Sequence, residues 1–215
     1  DFSRYTWVRF LSKKSECLEV FKKLVRGLEV DTGAQLKSVR SDCASEILGT
    51  QFSQFLDDRK GVTHWLAVPG APEQNGVAER MNRTLMDKAR SMMFNAGLAK
   101  CYWAEAASTA CYLGNRTKSS SIAGHKTPFE MLYNQKPSVA HLKVFGCAAY
   151  VHDQKKAKKK LEKRAIKCLF IGYSVYSKGY RVWDLENKRL LTRRDVVFDE
   201  TSFPMKKATC KKAEI

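Results

Sequence analysis

The sequence lacks the cysteine and histidine spacing of a zinc site. Its seven cysteines include no Cys-x-x-Cys pair, and its four histidines form no zinc-binding signature. We therefore expect no zinc in this chain. Most of the cysteines lie among apolar residues, which predicts reduced core thiols and an intracellular, reducing compartment, either nuclear or cytoplasmic.

Long apolar runs are missing as well. No stretch of the sequence is long and apolar enough to span a membrane, so we expect no membrane partner. The hydrophobic content of 44% is nevertheless typical of a globular protein. A chain of 215 residues with this composition can form one large or two small domains around a sizeable core.

Acidic residues are scarce relative to basic ones. The chain has 39 Lys and Arg residues against 22 Asp and Glu residues, which gives a net charge of +17. Residues 1–100 have 16 basic and 12 acidic residues and carry +4, whereas residues 101–215 have 23 and 10 and carry +13. This asymmetry favours a polyanion partner for the second half over a charge that only keeps the protein in solution.

Strand and helix patterns alternate in the first half of the chain, which predicts an α/β fold. Strand-forming residues follow one another over 2–11, and apolar residues recur at helical spacing over 15–31 until Gly33 ends the pattern. The remaining predicted elements are a strand over 35–41, a helix over 48–60 with Thr50 as a candidate cap, a strand over 62–68, a loop over 69–75, a helix from Gly76 to Gly97 and a helix over 102–115.

Two acidic residues stand at the ends of these elements. Asp42 follows the strand 35–41, and functional sites in α/β sheets collect beyond the carboxyl ends of strands. Glu79 lies about one turn inside the helix that starts at Gly76, where the helix dipole favours an ionised carboxylate. This topology could bring both carboxylates to one sheet edge, and converging carboxylates bind the Mg²⁺ ions of phosphodiester chemistry. The alternative role of Glu79 is a solvated residue or an intrahelical ion pair with Arg83.

Six stretches of the sequence form a colinear set of motifs. They are DFSRYTWVRFL (1–11), VRSD (39–42), VPGAPEQNGVAERMNRTLMDKARSM (68–92), YWAEAASTACYLGNR (102–116), TPFEMLYNQKPSVAHLKVFGCAAYVH (127–152) and CLFIGYSVYSKGYRVWDLENKRLLTRRDVVFDE (168–200). With these motifs the chain resembles the integrase region of copia-type LTR retrotransposon Pol polyproteins over nearly its whole length.

The resemblance implies a fold and a chemistry. The implied fold is an α/β RNase H-like mixed sheet with flanking helices, which uses an Asp, Asp, Glu triad with Mg²⁺ or Mn²⁺ to process DNA 3′ ends and transfer them to a target duplex. Asp42 matches the second acid of the triad, and Glu79 matches the third. The implied partners are the element's DNA ends and the target duplex, with RNA as an alternative, and further copies of the full-length integrase in a homo-oligomer.

The resemblance also implies roles for residues around the third acid. Asn75 and Gly76 would shape the active-site loop, and Arg80 and Arg83 would approach DNA. Together with the two acids, these four residues make up the site that the first half of the sequence predicts.

The sequence departs from the family pattern in three places. The family's first acid lies on a strand upstream of the DFSRY segment, so Asp1 does not take its role, and we expect the chain alone to be inactive. The family's Asn-Gly-Gly-Glu after the second acid is Cys-Ala-Ser-Glu at 43–46, and Glu73 replaces the first Gln of Pro-Gln-Gln-Asn-Gly. The alternative function is therefore a non-catalytic nucleic-acid-binding module, domesticated or decayed.

Short strands dominate the sequence after a loop-like connector over 117–146. They are CAAYVH, CLFIGYS, GYRVWDL and LLTRRDVVF, with a hairpin turn from Asp184 to Lys188 between the last two. Closure into a small antiparallel barrel protects the edges of such strands, and the resemblance implies the same, an SH3-like β-domain. We therefore predict a catalytic core without its first strand over 1–116, the connector, the β-domain over 147–200 and a basic tail over 201–215.

A basic run interrupts the short strands. Residues 155–164, KKAKKKLEKR, carry seven positive side chains, which suit phosphate contact better than the role of a solvated loop. The nucleic-acid-binding candidates in this run are Lys155, Lys156, Lys158, Lys159, Lys160, Lys163 and Arg164.

Overall fold

The chain divides into two compact units. The computed structural model describes residues 2–42, 49–59, 61–68, 75–153, 164–175 and 177–206. The small unit comprises Trp7–Thr84 and Leu132–Asn134, and the large unit comprises the rest of the chain. In the described residues, no helix has the length and apolar character needed to cross a membrane.

The small unit alternates helices and strands, as the sequence predicts. Its elements are a 3-10 helix Lys14–Glu16, α1 Cys17–Thr32, β1 Ser38–Ser41, α2 Thr50–Asp57, β2 Thr63–Leu66 and the first turns of α3 Gly76–Ala96. Helix α1 ends at Gly33 because this residue takes a left-handed φ of 69° and its N–H bonds the Glu29 carbonyl at 2.9 Å. Gly49, not Thr50, occupies the N-cap of α2, so the predicted cap is wrong by one residue.

Strands β1 and β2 form a parallel pair. The register runs from Ser38 opposite Thr63 to Ser41 opposite Leu66. Phe52 of α2 is buried, and its ring lies 5.2 Å from the Phe21 ring of α1, centroid to centroid. The aromatic contact thus packs both helices together beside a two-stranded sheet; a larger RNase H-like sheet stays a prediction.

The predicted strand over 2–11 is wrong for the described residues 2–11, which form no strand. The backbone N–H of Thr6 donates to Asn115 Oδ1 at 2.9 Å, and Asn115 Nδ2 donates to the Thr6 carbonyl at 2.8 Å. Arg4 has a φ of 53°, which breaks an extended conformation. A buried amide side chain therefore takes both backbone groups that a sheet neighbour would have used.

The large unit places helices against a β-sheet. Its helices are the end of α3, a 3-10 helix Lys100–Tyr102, α4 Trp103–Gly114, a 3-10 helix Ala123–His125 and the start of α5 Pro128–Tyr133. Its strands are β3 Ala148–His152, β4 Ala165–Tyr173, β5 Tyr180–Asp184, β6 Arg189–Arg193 and β7 Val196–Asp199.

The connector over 117–146 is more ordered than the sequence prediction. Helix α5 begins with a capping box, in which the Glu130 N–H donates to Thr127 Oγ1 at 3.1 Å and the Thr127 N–H donates to Glu130 Oε2 at 2.8 Å. Pro128 occupies the first helical position, which its fixed φ favours. The sequence TPFE therefore carried a helix-start signal within a stretch that was predicted to be a loop.

The five strands form one antiparallel sheet in the order β6-β5-β4-β3-β7. Alternate residues of β4 point to opposite faces, so Cys168 and Phe170 join one core cluster while Leu169 and Ile171 join another. The second cluster also contains Ala89 of α3 and two alanines of α4, Ala106 and Ala107. Helices therefore cover part of one face of the sheet.

The four strands predicted after the connector are confirmed, but the last of them is two strands in the structure. A bend at Arg194 and Asp195 splits LLTRRDVVF into β6 and β7. No pairing joins β6 to β7 in the part of the chain that the structure describes, so closure into a barrel stays a prediction. Burial raises the pKa of the Cys147 and Cys168 thiols to about 11, as expected of unreactive core thiols.

Asp184 holds the predicted hairpin turn between β5 and β6. Its fully buried carboxylate accepts hydrogen bonds from the N–H groups of Glu186 and Asn187, from Asn187 Nδ2 at 2.7 Å and from Arg189 Nε at 3.3 Å. Burial by itself raises the pKa of this carboxyl, but the hydrogen bonds from Asn187, Arg189 and Glu186 outweigh it and hold the pKa below its usual value.

We expect Asp184→Ala to lower the free energy of unfolding by about 2–3 kcal/mol, because it leaves buried donors without an acceptor. Since the folded pKa is depressed, the carboxylate stabilises the fold above its unfolded pKa of about 4, and this contribution is lost as the pH falls through the folded pKa. Urea unfolding at neutral and acidic pH, compared with Asp184→Asn and with the exposed control Asp195→Asn, measures both effects. An Asp184→Ala loss no greater than that of Asp195→Asn would contradict the assignment.

Candidate functional site

Asp42 lies just past the carboxyl end of β1, as the sequence predicts. It follows β1 directly and its side chain is exposed. The Ala67 N–H, just past β2, donates to the Ser41 carbonyl at 2.9 Å, so the parallel pair ends beside this residue. Ser41 is buried, and its hydroxyl lies 2.9 Å from His64 Nε2 on β2. Two hydrogen bonds from Ser41 to β2 and the residue that follows it thus hold the end of β1 next to Asp42.

Glu79 lies in the first turn of α3, as predicted, and is exposed. The helix begins at Gly76, so the partial positive charge of its N-terminus acts on this carboxylate. Glu79 and Arg83, both described, form no ion pair with each other, and Arg83 is also exposed. The alternative role of this pair as an intrahelical salt bridge therefore has no support in the structure.

Gly76 and Arg80 are linked in a way that the sequence did not reveal. Gly76 is buried, and a Cβ atom placed on it would lie 3.0 Å from Arg80 Nη1. The missing side chain at 76 leaves the space that the Arg80 guanidinium occupies beside the helix start. Asn75, half-buried, precedes this turn. Four predicted residues, Asn75, Gly76, Arg80 and Arg83, therefore belong to the same helix start as Glu79.

The structure brings the two acids into the same unit. Asp42 and Glu79 both belong to the small unit, one at a strand end and one at a helix start. No group of three or more His, Cys, Asp or Glu side chains that could hold a metal occurs among the described residues. The predicted loop over 69–75 lies outside the described residues except for Asn75. A metal site formed by Asp42 and Glu79 therefore stays a prediction.

The basic run joins β3 to β4. Six of its predicted contact residues, Lys155, Lys156, Lys158, Lys159, Lys160 and Lys163, lie outside the described residues, whereas Arg164 is described and exposed. The Asp153 N–H donates to the Arg164 carbonyl at 2.8 Å, next to the pairing of His152 with Ala165. Asp153, which precedes the run, and Arg164, its last residue, therefore continue the β3–β4 ladder.

Sequence reasoning missed a cluster of titratable rings in the large unit. Tyr112 Oη lies 2.7 Å from His141 Nε2, the Tyr173 ring stacks on Tyr112 at 4.2 Å, and the Arg116 guanidinium lies 3.5 Å from the Tyr112 centroid. Burial, and then the charge of Arg116, lower the pKa of His141. Arg116 Nη1 donates to the Tyr112 carbonyl at 3.1 Å, whereas the buried Arg116 Nε has no hydrogen-bond partner among the described residues. Because the rings pack tightly on one another, we interpret the cluster as structural. Its members are far apart in sequence, so no local pattern signalled it.

Comparisons with known proteins find relatives that cover most of this chain. The family model of the retroviral polymerase SH3-like domain matches residues 147–211. The Retrovirus-related Pol polyprotein from transposon TNT 1-94 of Nicotiana tabacum is 44% identical over 201 residues, which cover 94% of this chain. That from transposon RE2 of Arabidopsis thaliana is 35% identical over 208 residues and also covers 94% of the chain.

The chain belongs to the integrase region of retrotransposon Pol polyproteins. This integrase region spans 15% of the length of the tobacco polyprotein and 14% of the Arabidopsis one. A solved structure, a simian T-cell lymphotropic virus intasome in complex with PP2A regulatory subunit B56 gamma, contains a chain similar to this one at 14% identity and a TM-score of 0.44. The match covers 86% of this chain and 63% of that one and supports no conclusion about function.

Proposed function

We propose that this chain supplies part of the DNA-processing and strand-transfer centre of a retrotransposon integrase, together with a DNA-binding β-domain. The observation that carries the proposal is the position of Asp42 at the carboxyl end of β1 and of Glu79 in the first turn of α3, within the same unit. In the complete integrase the substrates are the element's DNA ends and a target duplex, and the assembly is a homo-oligomer. For the strand-transfer centre we propose an RNase H-like fold, and for the β-domain a closed SH3-like barrel.

The chemistry of the two carboxylates fits Mg²⁺ or Mn²⁺. Both ions prefer hard oxygen ligands, and the Asp42 and Glu79 side chains are both exposed at element ends where a hydrated ion can approach them. The bound ions would supply Lewis-acid stabilisation of the phosphodiester during in-line displacement. Asp42 and Glu79 would hold them.

The basic residues have a separate role in this proposal. Arg80, seated over Gly76, and the exposed Arg83 would orient the DNA backbone beside the acids. The run 155–164 would contact phosphates from the large unit. These contacts position DNA without reading its sequence, which suits an enzyme that joins DNA to varied targets.

Mn²⁺ binding of the full chain at the small unit's two acids tests the proposed centre. We expect Mn²⁺ to broaden NMR signals near Asp42 and Glu79, and we expect Asp42→Asn and Glu79→Gln each to weaken Mn²⁺ affinity by at least about tenfold, because losing even an outer-shell partner has that effect. The matched control is Asp58→Asn, which removes an exposed carboxylate of the same unit. If both site variants bind Mn²⁺ like the wild type, the two acids do not share a site.

A non-catalytic nucleic-acid-binding module is the second candidate. The SH3-like family match lies in the half of the chain that carries +13, and neither feature requires the acids. The two functions separate in one experiment. Duplex DNA binding without Mn²⁺ binding at Asp42 and Glu79 supports the binding module, whereas both together support the integrase centre.

A further inference from the structure

A row of side chains on the described β-sheet of the large unit is partly exposed to solvent. Tyr150 of β3 is paired with Lys167 of β4 on one side and with Val197 of β7 on the other. Residues directly opposite one another in antiparallel strands point to the same face. We name Tyr150, Lys167 and Val197 the open row.

The helices that pack on this face of the sheet end their contacts one row before the open row. One step inward, Ala148 and Leu169 are paired and fully buried, and Leu169 belongs to the cluster packed by α3 and α4. In the open row, Tyr150 is half-buried, Lys167 is exposed and Val197 is 70% exposed. Rows on the same face lie about 7 Å apart along the strands. The helices therefore cover one row and leave the next, with its aromatic ring, partly or largely exposed.

The charges near the open row are mixed. Lys167 stands in the row itself, and the exposed His152 lies one step further out on the same face, opposite Ala165. The basic run 155–164 connects the two strands at this end of the sheet. Asp199, one step inward on β7, is engaged by Thr201, whose hydroxyl donates to Asp199 Oδ1 at 2.6 Å. The hydrogen bonds from Thr201, and in addition the charge of Lys167, lower the pKa of Asp199. Lys167 is therefore the described cation of the row that a phosphate beside Tyr150 would contact.

We propose that the open row is a platform for single-stranded DNA, on which an unpaired base stacks against Tyr150 while Lys167 contacts the adjacent phosphate. Exposed aromatic rings beside lysines bind single strands because an unpaired base offers its face, whereas a duplex keeps its bases stacked. The inference rests on the proposed function, since trimmed DNA ends supply such unpaired nucleotides. It adds a substrate class to the β-domain and assigns the contact to particular residues.

Fluorescence anisotropy of the full 1–215 chain with labelled oligothymidylate and with a mixed-sequence duplex tests the platform. We expect Tyr150→Ala to weaken single-strand binding by about tenfold, as expected when one base loses its stacking partner, with a much smaller effect on the duplex. Tyr150→Phe keeps the ring and is expected to bind like the wild type. Lys167→Gln should weaken binding to both DNAs and lower the single-strand salt slope by about 0.7.

A second substitution keeps the test valid if Tyr150→Ala unfolds. Val197→Glu places a negative charge in the open row at a residue exposed enough to tolerate it, and Val175→Glu, at a 66% exposed valine after β4, is the matched control. We expect only Val197→Glu to lose single-strand affinity. Equal single-strand affinities of Val197→Glu, Val175→Glu and the wild type would overturn the platform. Duplex binding by the same proteins would still support the proposed function. A wild type that binds neither DNA would contradict the platform and the proposed function together.

Discussion

Replacing the seven basic residues of 155–164 with serine is expected to flatten the salt dependence of duplex DNA binding by about 3–4 units, if the run makes about four phosphate contacts. Each neutralised phosphate releases counterions and contributes roughly −0.9 to the slope of log K against log salt. The run joins β3 to β4. The hydrogen bond between Asp153, which precedes the run, and Arg164 uses backbone atoms, so serine side chains leave that bond in place.

The measurement is a salt series on two unrelated duplexes with the wild type and the substituted chain. Because phosphate contacts carry no direct base information, the loss should be similar for both duplexes. The control variant replaces Lys13, Lys14 and Lys23 of the small unit, which are exposed, and is expected to change the slope much less. An unchanged slope for the run variant would make the run a solvated loop, and a loss on one duplex alone would indicate base readout.

Local signals predicted most elements of the fold. Gly33 and Gly97 both adopt positive φ at the ends of α1 and α3, where the sequence placed them. The hairpin at Asp184–Lys188 is confirmed because the aspartate satisfies the turn's own backbone donors. In each case the signal and the structure it determines lie within a few residues of one another, so periodicity and turn chemistry were sufficient.

Contacts between distant residues account for the main error. The segment 2–11 has the composition of a strand, yet the Asn115 side chain, 109 residues from Thr6, takes the backbone groups of Thr6. No local pattern contains that information. The strand over 2–11 was inferred from composition alone, and tertiary hydrogen bonds overrode this weak preference.

The candidate site shows the same division. The position of Asp42 after a strand and of Glu79 in a first helical turn could be predicted, because each depends on one local boundary. The position of the Arg80 guanidinium next to Gly76 could not be predicted, because it depends on a side-chain rotamer and on the burial of the glycine. The open row was missed because strand register decides which residues stand opposite one another, and register is set by the assembled sheet.

Substitution of Gly146 is expected to destabilise the large unit strongly. It has a φ of 80°, and a Cβ atom on it would overlap the Cβ of Ala96, which is fully buried. The Gly146 N–H donates to the Phe170 carbonyl at 2.9 Å, so the backbone there cannot easily move away. Its neighbours Phe145 and Cys147 belong to the two different core clusters, and the chain therefore crosses between the faces of the sheet at this glycine.

We expect Gly146→Ala to lower the free energy of unfolding by about 3–5 kcal/mol, because overpacking and a left-handed backbone both oppose the added methyl group. The matched control is Gly114→Ala at the end of α4, where an added Cβ meets no atom within 4 Å and φ is not positive. Urea unfolding followed by circular dichroism gives both midpoints. Since the control adds the same methyl group to the same unit, its midpoint should stay near the wild type while that of Gly146→Ala falls. Equal midpoints for the two variants would show that the contact between Gly146 and Ala96 does not constrain the fold.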